Sequence, residues 1–410
     1  MLCGAFHLCS KFEPDTFCGS KAWSFSANKP QILFLVVLLL CVLASGCAQQ
    51  QRVRLRNLTP AELSDYAQSG NARAQGVWAA VVLENPKAQD RYAAALNLAR
   101  PLAEKNQPDG LYALGVGYLY GRGVEKDCRE AIDLLSRASA AGNPWADYLL
   151  GRCYDVGNCL PQDLNKAAAA YTIAAEDGLA DAQYNLAVTY SRGEGVPQND
   201  AQALYWYGKA AEQNHPRALF NLGTRYAAGK GVPKNETKAV ELYRKAAQLG
   251  LPEAAHTLAG LYAHGVGTPQ NGAEAIRWYT YAANHGQVRS MLALGQLYRS
   301  GVLADKNIHL SIYWYERASA AGSPDADFNL GVIYDQGDSI KRNLHQAAQY
   351  YLAAAEKGHP AAAYNLALCY AAGQGVELDY AKALHWARTS KDRGVAEADK
   401  LIDKLMRSGP

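Results

Sequence analysis

A 36-residue repeat constrains this chain more than any other feature. Counting back in steps of 36 from Leu366, a leucine stands at every step as far as Leu114, without one insertion or deletion. The eight positions are Leu114, Leu150, Leu186, Leu222, Leu258, Leu294, Leu330 and Leu366. A tyrosine four positions after each leucine and a glycine seven positions after it keep the same phase. This register indicates a repeat architecture, in which each unit buries its apolar face against the next.

Each repeat has the spacing of two helices. Ala182, Leu186 and Tyr190 stand at i, i+4 and i+8, which is one face of a helix, and Gly193 ends it because glycine accepts the left-handed cap conformation. We call this helix A. After a loop comes a second run at helical spacing, made of Ala203, Trp206, Tyr207, Ala210 and Ala211. We call this helix B, and expect its aromatic residues to fill the space between helix pairs.

The repeated residues resemble a known family. The pattern A-x-Y-N-L-G-x-x-Y-x-x-G-x-G-V, followed by A-x-x-W-Y-x-K-A-A-x-x-G, is similar to the Sel1-like repeat, a relative of the tetratricopeptide repeat with a longer loop between its helices. With the 36-residue register, this implies an all-α, right-handed superhelical α-solenoid of helix-turn-helix repeats whose A helices line the concave side. Members of the family are scaffolds and adaptors, commonly without catalysis, so the resemblance implies a scaffold and not an enzyme.

We expect five segments along the chain. They are a signal peptide with a long preface (1–46), a lipidated polar tether (47–58), a degenerate leading repeat (59–109), eight Sel1-like repeats (110–397) and a C-terminal cap (398–410). Thr59, Pro60 and Glu62 form a capping box that predicts a helix start, and Trp78 takes the leucine position of the leading repeat. At the far end Ala398 and Ile402 keep the repeat phase among polar residues, as a cap requires.

The N-terminal apolar run indicates a targeting signal. Residues 32–44 are uncharged and largely apolar, which is too short to span a bilayer comfortably but suits a signal peptide. The run leads into Cys47 in a sequence that resembles a bacterial lipobox, so we expect Cys47 to be lipidated. The alternative is an incidental cysteine beside an ordinary cleavage site. Both predict the bacterial cell envelope, and the absence of aspartate after Cys47 favours the periplasmic face of the outer membrane.

The sequence gives little sign of catalysis. A net charge of +3 makes no case for nucleic acid, and the nine histidines lack metal-ligand spacing. We therefore expect no cofactor, no metal and no enzyme activity. The predicted function is a lipid-anchored scaffold that binds other envelope proteins or extended peptide segments through its concave groove. The alternative is an envelope enzyme or carbohydrate-binding protein built on a solenoid, for example in exopolysaccharide export or cell-wall maintenance.

The predicted groove residues are polar positions beside the leucine column on the A helices. They are Asn185, Thr189, Arg192, Asn221, Arg225, Asn329, Gln336 and Asn365. Asparagine has poor helix propensity, and its amide offers both a donor and an acceptor for the backbone of an extended peptide. The alternative is that each asparagine bonds to the neighbouring repeat and serves stacking.

Two cysteines near one helix end leave two alternatives. Cys153 and Cys159 form a local disulfide in an oxidising compartment, or they are free thiols, since Cys153 shares a column with apolar core residues. We expect Cys128 and Cys369 to be unpaired. Leu303 and Ser339 replace the second glycine of their loops, so we expect these loops to differ in shape from the others.

Overall fold

The computed structural model describes residue 52 and residues 55–337 and 339–408. The signal peptide and Cys47 lie outside the described residues. The described chain contains twenty α-helices and one short 3₁₀-helix, arranged mainly as helix pairs at the 36-residue spacing. The prediction of an all-α repeat array is therefore confirmed. Every helix in this described part is too short or too polar to cross a membrane.

Three helices precede the regular repeats. They are α1 (Pro60–Gln68), α2 (Ala72–Glu84) and α3 (Tyr92–Glu104), with the 3₁₀-helix (Gln89–Arg91) before α3. The predicted capping box is present, because the Thr59 hydroxyl accepts the Glu62 N–H and the Glu62 carboxylate accepts the Thr59 N–H at 2.8 Å. The sequence suggested a single degenerate pair here, and α1 is an additional helix. Its residue Leu63 packs in a small cluster with Ala74 and Val77 of α2.

The A helices are each thirteen residues long. They are α4 (Pro108–Tyr120), α6 (Pro144–Val156), α8 (Ala180–Arg192), α10 (Pro216–Ala228), α12 (Pro252–His264), α14 (Val288–Ser300), α16 (Pro324–Gln336) and α18 (Pro360–Ala372). Proline at the first position suits six of them, because its missing N–H would have no partner there. Each ends at the predicted glycine, whose φ of 66° to 74° is left-handed.

The B helices have the same length and a polar cap. They are α5 (Cys128–Ala140), α7 (Leu164–Glu176), α9 (Asp200–Glu212), α11 (Glu236–Gln248), α13 (Gly272–Asn284), α15 (Ile308–Ala320), α17 (Leu344–Glu356) and α19 (Tyr380–Asp392). An aspartate or asparagine before each helix accepts backbone N–H groups of the first turn. The backbone N–H of that same residue donates to the carbonyl of the column tyrosine at 2.8–3.1 Å, which closes every A–B loop alike.

The final helix, α20 (Glu397–Ser408), follows the last repeat. Its residues Leu401 and Leu405 are buried against Ala383 and Ala387 of α19. Contacts of this kind cover the apolar face that the last B helix would otherwise expose.

The helices form two compact units, residues up to Trp206 and residues from Tyr207 onward. The core of the first unit includes Leu135 and Leu186, and that of the second includes Leu258, Leu294 and Leu330. Within both units an A helix approaches its B helix closely where a glycine follows the leucine column. A Cβ atom at Gly151 would lie 2.8 Å from the ring of Tyr171, and one at Gly331 would lie 2.6 Å from the ring of Tyr351. These glycines let the tyrosine rings lie in close contact with the A helix.

The two loops that lack the second glycine differ from each other at that position. Ser339 keeps the left-handed conformation, with a φ of 58°, although it is not a glycine. Leu303 does not adopt it. A compensating change lies on the neighbouring B helix, where a Cβ atom at Gly272 would come within 2.3 Å of the Leu303 carbonyl oxygen. At this contact the glycine is therefore on the B helix, at Gly272, and not in the loop.

Candidate functional site

Three of the predicted groove residues come together around one pocket in the first unit. Asn185, Thr189 and Arg192 lie on α8, and they line a cavity of about 90 Å³ with Asp155 from the end of α6 and Tyr171 from α7. We call this cavity the Asp155 pocket. Its remaining walls are Leu164, Ala167, Val188 and Glu194. The sequence prediction named the three α8 residues but not Asp155 or Tyr171.

One hydrogen bond orients the acidic group of the Asp155 pocket. The Tyr171 hydroxyl donates to Asp155 Oδ2 at 3.1 Å, and the Asn185 side chain lines the same pocket. Burial, and then the charge of Asp155, raise the pKa of Tyr171 far above its usual range, so this phenol stays a neutral donor. The half-buried Asp155 carboxylate is thus oriented by a group that does not ionise.

The other two α8 residues have different roles. Thr189 is buried, and its hydroxyl donates to the Asn185 carbonyl at 3.0 Å. It is therefore part of the pocket wall, and its hydroxyl is already used within α8. Arg192 is exposed at the rim, and its guanidinium lies 3.6 Å from the Glu194 carboxylate. The pocket therefore has an acidic interior and a rim whose charges nearly balance.

The asparagine column does not act uniformly. Asn221 Nδ2 donates to the Tyr207 hydroxyl at 3.2 Å. Tyr207 lies on the B helix of the preceding repeat, so this bond is of the kind that the alternative of repeat stacking expects. Asn329 differs, because its Nδ2 donates to the Asp325 carbonyl of its own helix at 2.8 Å.

The expected continuous polar ladder is not formed in the second unit. Arg225 is buried, with its guanidinium 5.5 Å from the centre of the Tyr207 ring, so it packs beneath a tyrosine instead of facing a groove. Gln336 is exposed, and its Oε1 accepts a hydrogen bond from Arg299 Nη2 at 2.8 Å. Asn185, Thr189 and Arg192 of α8 are therefore the predicted positions that share the Asp155 pocket.

The disulfide joins a different pair from the one that the sequence suggested. Cys159 is bonded to Cys128, whose Cα lies 5.0 Å away, and Cys153 is a buried free thiol. The φ of 63° at Cys159 belongs to a loop that meets the start of α5, whereas Cys153 lies in an apolar column of α6. The expectation that Cys128 is unpaired is wrong for the same reason. Cys369 is a buried free thiol.

The segment just before α1 lies on the A helices, where the sequence suggested a polar tether. Arg52 is buried, and its guanidinium donates to Asp109 Oδ1 and to the Gly142 carbonyl, both at 2.9 Å. Asn143 also donates to Asp109 Oδ1, at 3.1 Å. Desolvation raises the pKa of Asp109, and the charge of Arg52 acts against that rise. Leu55 is likewise buried, so both Arg52 and Leu55 pack as part of the fold.

Arg56 makes the second attachment of that segment. Its two terminal nitrogens bind the two Glu84 oxygens at 2.8 and 3.0 Å, and its guanidinium lies 4.5 Å from the centre of the Trp145 ring. The Tyr112 hydroxyl completes the site by donating to Glu84 Oε1 at 2.6 Å. Tyr112 and Trp145 project from α4 and α6, so the segment lies against A helices of the first two repeats.

One side of the A helices links these two sites. On α6, Trp145, Tyr148 and Asp155 stand at spacings of three and seven, which places them along one side of the helix. We call this side, with Tyr112 on α4 and Val188 and Arg192 on α8, the A-face of the first unit. Trp145 contacts the Arg56 side chain, and Asp155 lines the Asp155 pocket. The Arg56 attachment and the Asp155 pocket therefore both belong to the A-face. Within the described residues no group of three metal-ligating side chains is assembled.

Comparison with known proteins gives the family. The chain matches the Sel1 repeat over residues 108–143, 146–179, 180–215, 216–251, 252–287, 288–323, 324–359 and 360–395. A solved structure of a protective antigen present in uropathogenic Escherichia coli strains, with an SLR fold, shares 31% identity and a TM-score of 0.71, covering 77% of this chain and 68% of that one.

A second solved structure, a Sel1 repeat protein from Oxalobacter formigenes, shares 28% identity and a TM-score of 0.59, covering 75% of this chain and 89% of that one. Among curated proteins there is no match. Because the repeat matches extend over most of the sequence, at the same 36-residue spacing as the helix pairs, this chain belongs to the Sel1 repeat family.

Proposed function

We propose that this protein is a non-catalytic scaffold whose A-face holds segments of partner proteins. The observation that carries the proposal is that the A-face already holds a segment of the chain itself, through Arg52 and Arg56. Both arginines are bound by carboxylates, and Arg56 is also stacked on an aromatic ring. A surface built in this way recognises side chains of a polypeptide.

The dimensions of the Asp155 pocket favour a polypeptide partner over a small-molecule substrate. Small-molecule sites usually enclose about 300–1,000 Å³. The Asp155 pocket, at about 90 Å³, has room for the end of one side chain. The alternative of an enzyme or carbohydrate-binding protein calls for a larger cleft with paired functional groups, and Asp155 has a tyrosine rather than a second carboxylate as its partner.

The proposed location is the bacterial cell envelope, with the chain attached through a lipid on Cys47. The Cys128–Cys159 disulfide supports an oxidising compartment, because cytosolic thiols are kept reduced. Lipidation would need at least two acyl chains for stable attachment. Replacing Cys47 by serine should release the protein from the membrane fraction. Retention in that fraction, with unchanged mass, would exclude the anchor.

Partner capture from intact envelopes tests the proposed function. Chemical crosslinking followed by purification should recover specific partners with the native chain. Val188→Arg places a large side chain in the Asp155 pocket and should abolish recovery of the partners. Ile173→Arg, on the exposed side of α7, should leave recovery unchanged. Circular dichroism should show both variants folded. Equal recovery with the two variants would contradict binding at the A-face.

A further inference from the structure

Two repeats of this chain pair a half-buried aspartate with a tyrosine, but only one of them adds a cation to the aspartate. Asp155 and Asp335 occupy the same position in repeats that are 180 residues apart. Each accepts a hydrogen bond from the tyrosine of its own B helix, at 3.1 Å from Tyr171 and at 3.4 Å from Tyr351. Both carboxylates are half-buried at the end of an A helix. The two sites are therefore equivalent up to this point.

The residue seven positions later distinguishes the two sites. In the second unit this residue is Arg342, whose Nη2 lies 3.0 Å from Asp335 Oδ1. In the first unit it is Gln162, whose amide donates to the Asp155 backbone carbonyl at 2.7 Å and brings no charge. The chain thus supplies a cation to Asp335 and a neutral amide at Asp155. The cavity described above opens at the site that lacks the cation.

The other repeats show that the carboxylate is not a general structural requirement. The equivalent positions hold Leu119, Ser191, Ala227, Ala263, Arg299 and Ala371. The A helix therefore ends normally without an acid. The Asp335 carboxylate is paired with Arg342 of the loop that follows it. Among the described residues, the Asp155 carboxylate is hydrogen-bonded only by the Tyr171 hydroxyl. A half-buried carboxylate is stabilised by a cationic hydrogen-bond donor.

Resting on the proposed function, we propose that the Asp155 pocket binds a basic side chain, lysine or arginine, of the partner segment. The cation would occupy the place relative to Asp155 that Arg342 takes relative to Asp335. The aliphatic walls Leu164, Ala167 and Val188 suit the methylene stem of such a side chain. The chain's own Arg56, held by Glu84 and Trp145, shows that the A-face accepts basic side chains. The inference names the chemistry of the partner, which the scaffold proposal leaves open.

Titration of the full chain with small cationic probes tests this inference. The probes are Nα-acetyl-arginine amide and Nα-acetyl-lysine amide, with Nα-acetyl-norleucine amide as the neutral control. Binding is followed by the NMR signals of the Asn185 side-chain amide. We expect saturation with a dissociation constant on the order of 1–10 mM for either cation, as one charge-assisted contact provides, and no saturation with norleucine.

Three variants make the test specific. Asp155→Asn keeps the shape and should weaken binding about tenfold or more, since it removes the charge. Gln162→Arg copies the second unit and should abolish binding by filling the pocket from within. Asp335→Asn is the matched control and should leave the Asn185 response unchanged. Undiminished binding in Asp155→Asn or Gln162→Arg, or equal binding of norleucine, would overturn the inference.

The outcome is separable from that of the proposed function. If the basic probes fail to bind while envelope partners are still captured in a manner sensitive to Val188→Arg, the pocket does not recognise cations and the scaffold proposal stands. If Val188→Arg leaves capture unchanged, the scaffold proposal fails, whatever the probes do.

Discussion

Cys128 and Cys159 are joined across two consecutive repeats, at a separation of 31 residues. In other repeats too, a loop residue lies close to the residue 31 positions earlier, at the start of the B helix of the preceding repeat. A Cβ atom at Gly195 would lie 2.0 Å from the Leu164 carbonyl oxygen, and the pair Gly272 and Leu303 shows the same contact with the glycine on the helix. The disulfide therefore replaces a backbone contact that other repeats make with a glycine.

The first prediction concerns this disulfide. Closing a loop of this length should stabilise the folded chain by about 3–4 kcal/mol in the chain-entropy account. Cys128→Ser should therefore lower the urea midpoint, and Cys369→Ser, which removes a free thiol, should serve as the control. Peptides digested without reduction should include one species containing Cys128 and Cys159. Recovery of Cys159 linked to Cys153 would contradict the observed pairing.

The second prediction separates two asparagines of one column. Asn221→Ala should destabilise the chain by about 1 kcal/mol, because it removes the hydrogen bond to the Tyr207 hydroxyl of the preceding repeat. Asn329→Ala should be neutral or slightly stabilising, because Asn329 bonds within its own helix and alanine is the better helix former. Denaturant midpoints measure both. Equal losses would show that the column does not act through Tyr207.

The third prediction compares two buried aspartates at equivalent positions of two repeats, one with a lysine partner and one without. Asp327 is bound by Lys357 Nζ at 2.7 Å, so Asp327→Asn should destabilise the chain at neutral pH by about 1–3 kcal/mol. Asp147 stands at the same position, but Asp177 replaces the lysine. Burial, and to a lesser degree the charge of Asp177, raise the pKa of Asp147.

A raised pKa means that the folded state favours the protonated form of Asp147. Its contribution to stability is then fully present below the ordinary aspartate pKa of about 3.9 and is lost as the pH rises through the higher folded value. Asp147→Asn should therefore stabilise the chain at pH 7 and have no such effect at pH 3. Unfolding curves at the two pH values measure this. A loss of stability at pH 7 would contradict the sign.

The fourth prediction concerns the segment before α1. Arg52→Ala should cost about 3–5 kcal/mol, because it leaves the buried Asp109 carboxylate without its main cation. Arg73, which is more exposed and lies 4.0 Å from the same carboxylate, is the control, and Arg73→Ala should cost much less. Hydrogen exchange of α4 should report the difference locally. Similar exchange in both variants would show that Arg52 is not needed for this packing.

The helices were predictable because the repeat fixes them. Leu186 recurs with Tyr190 and Gly193 at a constant phase, so one repeat determines the others, and apolar spacing and the left-handed cap follow directly from residue type. Residues 52–58 precede the repeats and have no register to place them. Their basic and apolar alternation, R-x-x-L-R, was the available signal.

The site was only partly predictable because its residues come from three helices. Asn185, Thr189 and Arg192 lie on α8 and share its spacing, whereas Asp155 and Tyr171 reach the pocket from the preceding A and B helices. The disulfide joins residues of two consecutive repeats, so the spacing within one repeat did not reveal it. Comparing columns between repeats would have identified Asp155 and Asp335 as equivalent positions. It would also have shown that Asp335 gains Arg342 where Asp155 has Gln162.

The central claim is that the A-face of the first unit binds partner polypeptide. A photo-crosslinking amino acid at position 188, in the wall of the Asp155 pocket, tests it most directly in living cells. The matched probe at position 173 lies on α7, where Ile173 is 52% exposed. We predict covalent partner adducts from position 188 and none from position 173. Adducts from position 173 without any from position 188 would contradict the claim.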